Sequence, residues 1–204
     1  ELIMGIMQMI AAAGGLDQYL VANSLRFNDG DSAYLNKTPS SEGNRQAWTF
    51  SCWVKRSTLV PSDRVSLFSA YGALSDTEFF EFGYETDKFF YTTASVASTS
   101  DAIFRDTSAW QHVVLSYDGS DLKFYSNNTE VKSVSKTGDL GINGDWIHKI
   151  GMSSNPSDTR YLDGYLANIE FLDGSASTPT SFAEEDATTG QWVPIEYTGS
   201  YGTN

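Results

Sequence analysis

The run Trp48-Thr-Phe-Ser-Cys-Trp-Val-Lys55 alternates along its length. Trp48, Phe50, Cys52 and Val54 point one way, and Thr49, Ser51, Trp53 and Lys55 the other. A period of two is the mark of a strand with one face on a core. The run therefore predicts a half-buried strand carrying one large aromatic, Trp53, on its second face. Cys52 falls on the apolar side, where core packing accounts for it better than nucleophilic work does.

The same pattern spreads outward in both directions. Val65–Tyr71, Glu78–Tyr84 and Lys88–Thr93 read as strands, and Glu85-Thr86-Asp87 reads as a hairpin link. Gln111–Tyr117, Asp121–Tyr125 and Thr129–Val134 follow. Asp118-Gly119-Ser120 and Ser126-Asn127-Asn128 supply their turns. Tyr165–Leu172 alternates again, with Tyr165, Ala167, Ile169 and Phe171 expected on one face and Asp173-Gly174 closing it. No period of fixed length recurs, which counts against a solenoid or propeller. Short strands at this density indicate an all-β sandwich or barrel. Helix is expected only in the N-terminal segment and in the polar stretch Thr180–Asp186.

Composition sets further bounds. The chain has 204 residues, 14% of them aromatic, enough to build a core without staples. Its single cysteine rules out an intrachain disulfide. Thirteen basic against 26 acidic residues give a formal charge of −13, which repels nucleic acid and anionic membranes.

Residues 1–15 stand apart. The first thirteen are nearly all apolar, hold three of the four methionines and stop at Gly14-Gly15. The stretch is shorter than the roughly 20 apolar residues of a membrane span and lacks the basic start of a secretory signal. Leu2, Ile3, Ile6, Met7, Met9 and Ile10 are the candidate partner-anchoring residues, since methionine-rich apolar faces adapt to irregular surfaces. Self-association into a homo-oligomer and folding back on its own domain are the other uses for such a segment. The expected division is 1–15 anchor, 16–175 β-domain, and 176–204 C-terminal extension. The extension ends without a closing helix or charged tail and reads as continuing past Asn204.

Several segments together carry a family resemblance. Trp48–Lys55 resembles the early aromatic strand of laminin-G-like jelly rolls. Trp110-Gln-His-Val-Val-Leu-Ser-Tyr-Asp-Gly119 is similar to that family's Trp-x-His-Val-Val-x-x-Tyr-Asp-Gly segment. Leu122-Lys-Phe-Tyr125 resembles the next strand, although the usual Asp-Gly is replaced by Ser126-Asn127-Asn128. Ile150-Gly151 and Leu162-Asp-Gly-Tyr-Leu-Ala-Asn-Ile169 resemble the closing strand pair. The resemblance implies a two-sheet antiparallel jelly-roll sandwich of the concanavalin A-like type, with a short apolar helical segment in front. A narrower resemblance links Ser24–Leu35, Thr38–Asn44, Phe171–Gly174, Pro179–Phe182 and Trp192–Asn204 to virion-associated proteins of tailed marine phages. It implies a fibre, tail or head-decoration component on the virion surface, outside the cell. Such a component would be tied to other virion proteins through its N-terminus.

The chemistry of the chain favours binding over catalysis. Glycosidases of this architecture need two carboxyls about 5 Å apart, or roughly 6.5–9.5 Å apart. Glu78, Glu81 and Glu85 come nearest and read as solvated strand and turn charges. His112, Ser116 and Asp118 share a face, but successive same-face sites lie nearly 7 Å apart, too far for a triad. No catalytic or cofactor-binding residue is therefore expected. Calcium is an open candidate cofactor, because laminin-G relatives hold it at the rim and it takes six to eight oxygen ligands. Asp29 with Asp31, Asp118 with Asp121, Asn127 with Asn128, and Asp158 with Asp163 are the candidate clusters, each equally explained as turn chemistry. For carbohydrate, Trp146 with Asn143 and Asp145 is the candidate loop platform, the alternative being that Trp146 closes the core edge, and Tyr71 and Tyr161 are weaker candidates.

The expectation is a non-enzymatic phage structural and adhesion protein that touches host-surface glycans. A secreted or cell-surface carbohydrate-binding module is the alternative, and a glycosidase on the same fold is the third.

Overall fold

The structure, a computed structural model, describes residues 19–60 and 63–202. In chain order its strands are β1 Leu25–Phe27, β2 Leu35–Lys37, β3 Trp48–Arg56, β4 Arg64–Tyr71, β5 Phe79–Glu85, β6 Lys88–Thr92 and β7 Ala97–Thr99. They continue as β8 Gln111–Tyr117, β9 Asp121–Ser126, β10 Thr129–Ser135, β11 Ile147–Ile150, β12 Gly164–Asp173, β13 Ala183–Glu185 and β14 Trp192–Pro194. Two six-stranded sheets form, in the orders β1-β12-β3-β8-β9-β10 and β2-β11-β4-β5-β6-β7. Every pairing is antiparallel. This is the expected jelly-roll sandwich. The expected N-terminal helix and its anchoring residues, Leu2, Ile3, Ile6, Met7, Met9 and Ile10, lie outside the described residues.

The shared interior is aromatic. Trp48, Phe50, Cys52 and Val54 from β3 meet Phe68, Ala70, Phe80, Phe82 and Tyr84 from the facing sheet. Phe50 stacks on Phe68 at 4.6 Å between centroids, and Trp48 meets the Phe80 edge at 5.7 Å. Such pairs add to plain area burial. Burial also pushes the Cys52 thiol up, away from reactive thiolate.

Strand β3 is not half-buried, because its second face is covered as well. Thr49, Ser51 and Trp53 are buried beneath residues 175–197, which fold back across the first sheet. Thr49 Oγ1 donates to the Ser175 carbonyl and accepts from the Ser177 N–H, each at 2.8 Å. Phe182 seats among Val114, Tyr125 and Leu172, with Tyr197 packed on top. Trp53, Ala167 and Ala183 form a neighbouring cluster with Trp110 and Trp192.

The helix expected over Thr180–Asp186 is also corrected. One 3-10 turn, Pro179–Ser181, leads into β13, which pairs with β14. A short polar helix is marginal alone. Pairing with β14 satisfies the backbone while Phe182 and Ala183 reach the sheet below.

Strand β12 departs from simple alternation. Its register against β3 shifts between Ala167 and Glu170, and Asn168 takes φ 46°. The extra residue reverses the phase. Leu166 faces the core before the bulge, and Ile169 and Phe171 pack on it afterwards. Ala167 lies under the C-terminal strap and Tyr165 is exposed. The four residues expected on one face are thus divided between two.

Two buried histidines and one buried ion pair pin the connections. His112 Nδ1 accepts from Trp192 Nε1 at 3.0 Å, so its Nε2–H donates to Ser51 Oγ at 2.9 Å. The ring also stacks on Trp53 at 5.0 Å. His148 Nε2 accepts the Asn143 N–H at 2.9 Å, and its Nδ1–H donates to the Trp146 carbonyl at 2.8 Å. In the two-residue turn after β5, Thr86 and Asp87 take φ 50° and 61°, the type I′ geometry that matches strand twist. The buried Asp87 carboxylate accepts from the Val60 N–H (2.8 Å), Arg56 Nη1 (3.1 Å) and Arg105 Nε (3.3 Å). Burial pushes this carboxyl up, and those three donors outweigh it, leaving it below the usual range. The clasp fixes the loop after β3, which becomes one wall of the cleft described below.

Phe182→Ala is expected to cost about 3–5 kcal/mol, the usual penalty for emptying a large aromatic site. Chemical denaturation checks this; an unchanged midpoint would show that the strap is not part of the folded unit. Burial lowers His112 to about 3 and His148 to about 4. Below about pH 6.5 the unfolded chain takes up protons that these rings refuse. Stability should therefore fall as pH drops from 6.5 toward 4, at up to about 1.4 kcal/mol per pH unit for each ring. His112→Gln should flatten that slope by about half in pH-resolved unfolding.

Candidate functional site

A cleft of about 280 Å³ opens where three connections meet. Asp29 comes from the turn after β1, Thr58, Leu59, Val60 and Asp63 from the β3–β4 connection, Arg64 and Val65 from the start of β4, and Thr159, Arg160 and Tyr161 from the β11–β12 connection.

Arg160 forms its most heavily bonded wall. Its Nη1 donates to Glu81 Oε2 and to Asp158 Oδ2, both at 2.8 Å. Glu81 sits mid-strand on β5, on the outer face of the second sheet, and is fully buried. It is not the solvated strand charge that its sequence context suggests. The connection after β11 lies over it, stitched to β4 by Ser69. Ser69 Oγ donates to the Met152 carbonyl at 2.8 Å and also lies 2.8 Å from Ser154 Oγ. Burial raises the Glu81 carboxyl to about 6, although the Arg160 guanidinium pulls it down. Its second oxygen, Oε1, has no hydrogen-bond partner among the described residues.

The opposite wall is Arg64. Its Nε donates to Glu85 Oε1 at 2.7 Å, and its guanidinium lies 4.9 Å above the Phe90 ring. Asp63 Oδ1 accepts the Arg64 N–H at 2.7 Å. Tyr161 is half-buried, and its ring centroid lies 6.5 Å from that of Tyr34, which is 41% exposed. The Lys149 ammonium sits 4.9 Å over Tyr34. The cleft thus offers two anchored guanidinium forks, two carboxylate acceptors and an aromatic edge. Such a set suits a polyhydroxylated ligand, fixed in orientation by a few well-placed polar groups.

Of the sequence-predicted platform, only Tyr161 lines this cleft. Asn143, Asp145 and Trp146 lie together on the connection before β11. Asn143 is buried at φ 64°, and its Nδ2 donates to the Asn44 carbonyl (3.1 Å) and to Asp173 Oδ1 (2.5 Å). Trp146 donates to the Gly141 carbonyl at 2.8 Å, packs on the core and carries the Arg45 guanidinium 4.8 Å over its ring. A methyl at Gly144 would come within 2.2 Å of that ring, so the loop is shaped around the indole. Asp145 is exposed.

The calcium clusters are occupied by turn chemistry and ion pairs. Asp29 Oδ1 accepts the Gly30 N–H, and Asp31 accepts from the Asn28 amide. Asp118 caps Ser120 and Asp121, and Asn127 Oδ1 accepts the His112 N–H. Asp158 bonds Arg160, and Asp163 pairs with Arg26 at 2.6 Å. Among the described residues no three His, Cys, Asp or Glu side chains converge as a metal site. These residues do not fit a carboxylate-built calcium site.

Catalytic geometry is likewise not assembled around the candidates named above. Glu81 and Glu85 are four residues apart on a strand, roughly 13 Å, beyond either glycosidase spacing. Asp158 is nearer Glu81, but Arg160 Nη1 lies between the two carboxylates, where a reacting sugar would have to sit. His112 engages Ser51 rather than Ser116, and its Nδ1 accepts from an indole instead of donating to a carboxylate, which reverses the proton logic of a triad.

Comparison with known proteins fits this architecture. The heptameric SAP-like pentraxin of Limulus polyphemus aligns at TM-score 0.55 and 15% identity, over 72% of this chain and 72% of that one. Domain 4 of the extracellular GH43 arabinanase AbnA of Geobacillus stearothermophilus, solved with arabinotriose, aligns at 0.52 and 19%, over 67% and 65%. The CBM40 domain of the Ruminococcus gnavus IT-sialidase aligns at 0.53 and 12%, over 72% and 95%. These likenesses are of fold. No curated protein matches the sequence. The model of the concanavalin A-like lectin/glucanases superfamily, Laminin_G_3, matches residues 28–180, most of the chain, and the protein belongs to that family.

Proposed function

We propose that the protein is a non-enzymatic carbohydrate-binding module that takes a glycan in the cleft between Arg64, Arg160 and Tyr161. The observation that carries the reading is the placement of two guanidinium forks, each locked by a carboxylate, beside a half-buried tyrosine ring in an open cleft. Locked forks present N–H donors to sugar hydroxyls with little rotamer entropy left to lose. Asp29 and Asp63 supply acceptors, and the Tyr161 ring supplies an apolar edge for sugar C–H groups. Carbohydrate-binding domains among the similar solved structures add support to this reading. Each contact is weak, so copies in an oligomer or array would multiply affinity.

A second reading sets the same module on a tailed-phage particle, as a fibre, tail or head decoration at the virion surface. It rests on the sequence likeness of Ser24–Leu35 and Trp192–Asn204 and on the apolar run of residues 1–13. In this reading Leu2, Ile3, Ile6, Met7, Met9 and Ile10 anchor the chain to other virion proteins, and the sandwich faces host glycans.

Tyr161→Ala and Arg160→Ala are each expected to weaken glycan binding about tenfold or more, the loss of about 1.4 kcal/mol or above. Glycan-array screening followed by calorimetry checks this, and EDTA should leave the binding unchanged. Equal binding by both variants and the parent would place the ligand elsewhere. Deleting Glu1–Gly15 should release the module from particles while thermal unfolding stays intact. Retention of the shortened chain would contradict the anchor.

A further inference from the structure

The cleft carries more acid than base, and one of its acids cannot reach water. Asp29 and Asp63 line it, Glu85 holds Arg64, and Glu81 and Asp158 hold Arg160. Against these five carboxylates stand Arg64, Arg160 and, on the neighbouring strand, Lys149, whose ammonium is drawn over Tyr34 and toward Met152 and Ser153. Four of the five carboxylates are at least partly solvated and screened. Glu81 is not: it lies under the β11–β12 connection with one oxygen on Arg160 and the other without a partner. A charge in that position acts through low dielectric and is weakly screened by salt. The groups facing Glu81 are Arg160 and Asp158 from the connection above, Arg64 and Glu85 from the strand ends on the same sheet face, and Lys149 from β11. Ser69 and Thr92, its register partners on β4 and β6, are neutral.

Arg160 therefore enters the cleft already neutralised from behind. A sugar hydroxyl can still accept from its remaining N–H groups. A sugar carboxylate gains little there, because the charge that would attract it is spent on Glu81 and Asp158, and the surrounding acids repel it. Specificity is a difference of affinities, and built-in repulsion is one way to make it. We propose that the cleft accepts uncharged glycans and rejects acidic ones, and that the buried Glu81 is the residue that sets this preference. The inference rests on the carbohydrate-binding reading above and adds the ligand class and its determinant.

Two consequences distinguish this role from simple support of the loop. Replacing Glu81 by Gln should change the preference between neutral and acidic ligands, not merely the affinity for both. Protonating Glu81 should do the same without any substitution. Its carboxyl, raised to about 6, loses its charge at pH 5 while a sugar carboxylate stays ionised.

The test uses the full chain and matched pairs of oligosaccharides that differ only by a uronate in place of a neutral hexose, measured by calorimetry at pH 7.5 and pH 5. The neutral member is expected to bind about tenfold tighter at pH 7.5, and Glu81→Gln should narrow that ratio several-fold. The unaltered protein at pH 5 should narrow it in the same direction, which keeps the test decisive even where the variant folds poorly. An acidic ligand that binds as well as its neutral partner at pH 7.5 overturns the inference. So does a ratio that moves neither with pH nor with the substitution. Binding of neither member overturns the carbohydrate-binding reading itself, and the inference with it.

Discussion

Strand β3 is buried on both sides, and everything else in the molecule is arranged around that fact. Its inward face of Trp48, Phe50, Cys52 and Val54 closes the sandwich, and its outward face of Thr49, Ser51 and Trp53 is sealed by the C-terminal strap. On a central strand with both faces dry, each buried polar group left unpaired costs free energy, and the Trp48 and Trp53 indole N–H groups have no hydrogen-bond partner among the described residues. Thr49 and Ser51 are paired through Ser175, Ser177 and His112, and His112 in turn receives Trp192 from the strap. The first sheet is thereby withdrawn from ligand contact across its middle. The proposed ligand cleft lies instead among the loops that meet beside β4.

Hydrogen bonds hold Val60 and Arg160, one from each of two loops that line the cleft. Asp87 holds the β3–β4 connection through Val60, and Ser69 with Glu81 holds the β11–β12 connection through Met152, Ser154 and Arg160. Each clasp holds a residue that lines the cleft, Val60 in one and Arg160 in the other. Each fixes a wall, so that under the proposed function Arg64, Arg160 and Tyr161 meet a glycan in a pre-set arrangement. Preorganisation of this kind reduces the ordering cost of binding a flexible sugar.

Much of the fold was legible in the chain, and most of the cleft was not, for a physical reason. Period-two alternation located β3, β5, β8 and the two hairpin turns because each is local. Asn127 at φ 52° does what its residue type suggests, and the Thr86–Asp87 link forms its hairpin by its shortness, although a β-branched threonine disfavours φ 50°. What alternation cannot reveal is a change of phase or a cover supplied from far along the chain. The bulge at Asn168 split one expected face into two, and the strap over β3 comes from more than a hundred residues downstream. The cleft has no motif because its parts arrive from three separated connections. Tyr161 was named as a candidate, but Arg64 and Arg160 were not, and Trp146 turned out to be clasped by Arg45 and shaped glycines. One sign was present in Phe79-Phe80-Glu81-Phe82: a lone acid among aromatics, in a strand apolar on both faces, demands a partner if it is buried.

The proposed ligand site lies between Arg64, Arg160 and Tyr161. Nuclear magnetic resonance titration of the labelled chain with neutral oligosaccharides tests it most directly. Shifts concentrated in residues 58–60, 63–65 and 159–161, with Asn143 to Trp146 unmoved, are the predicted result. Shifts centred on Trp146, or spread over the strap and first sheet, would contradict it.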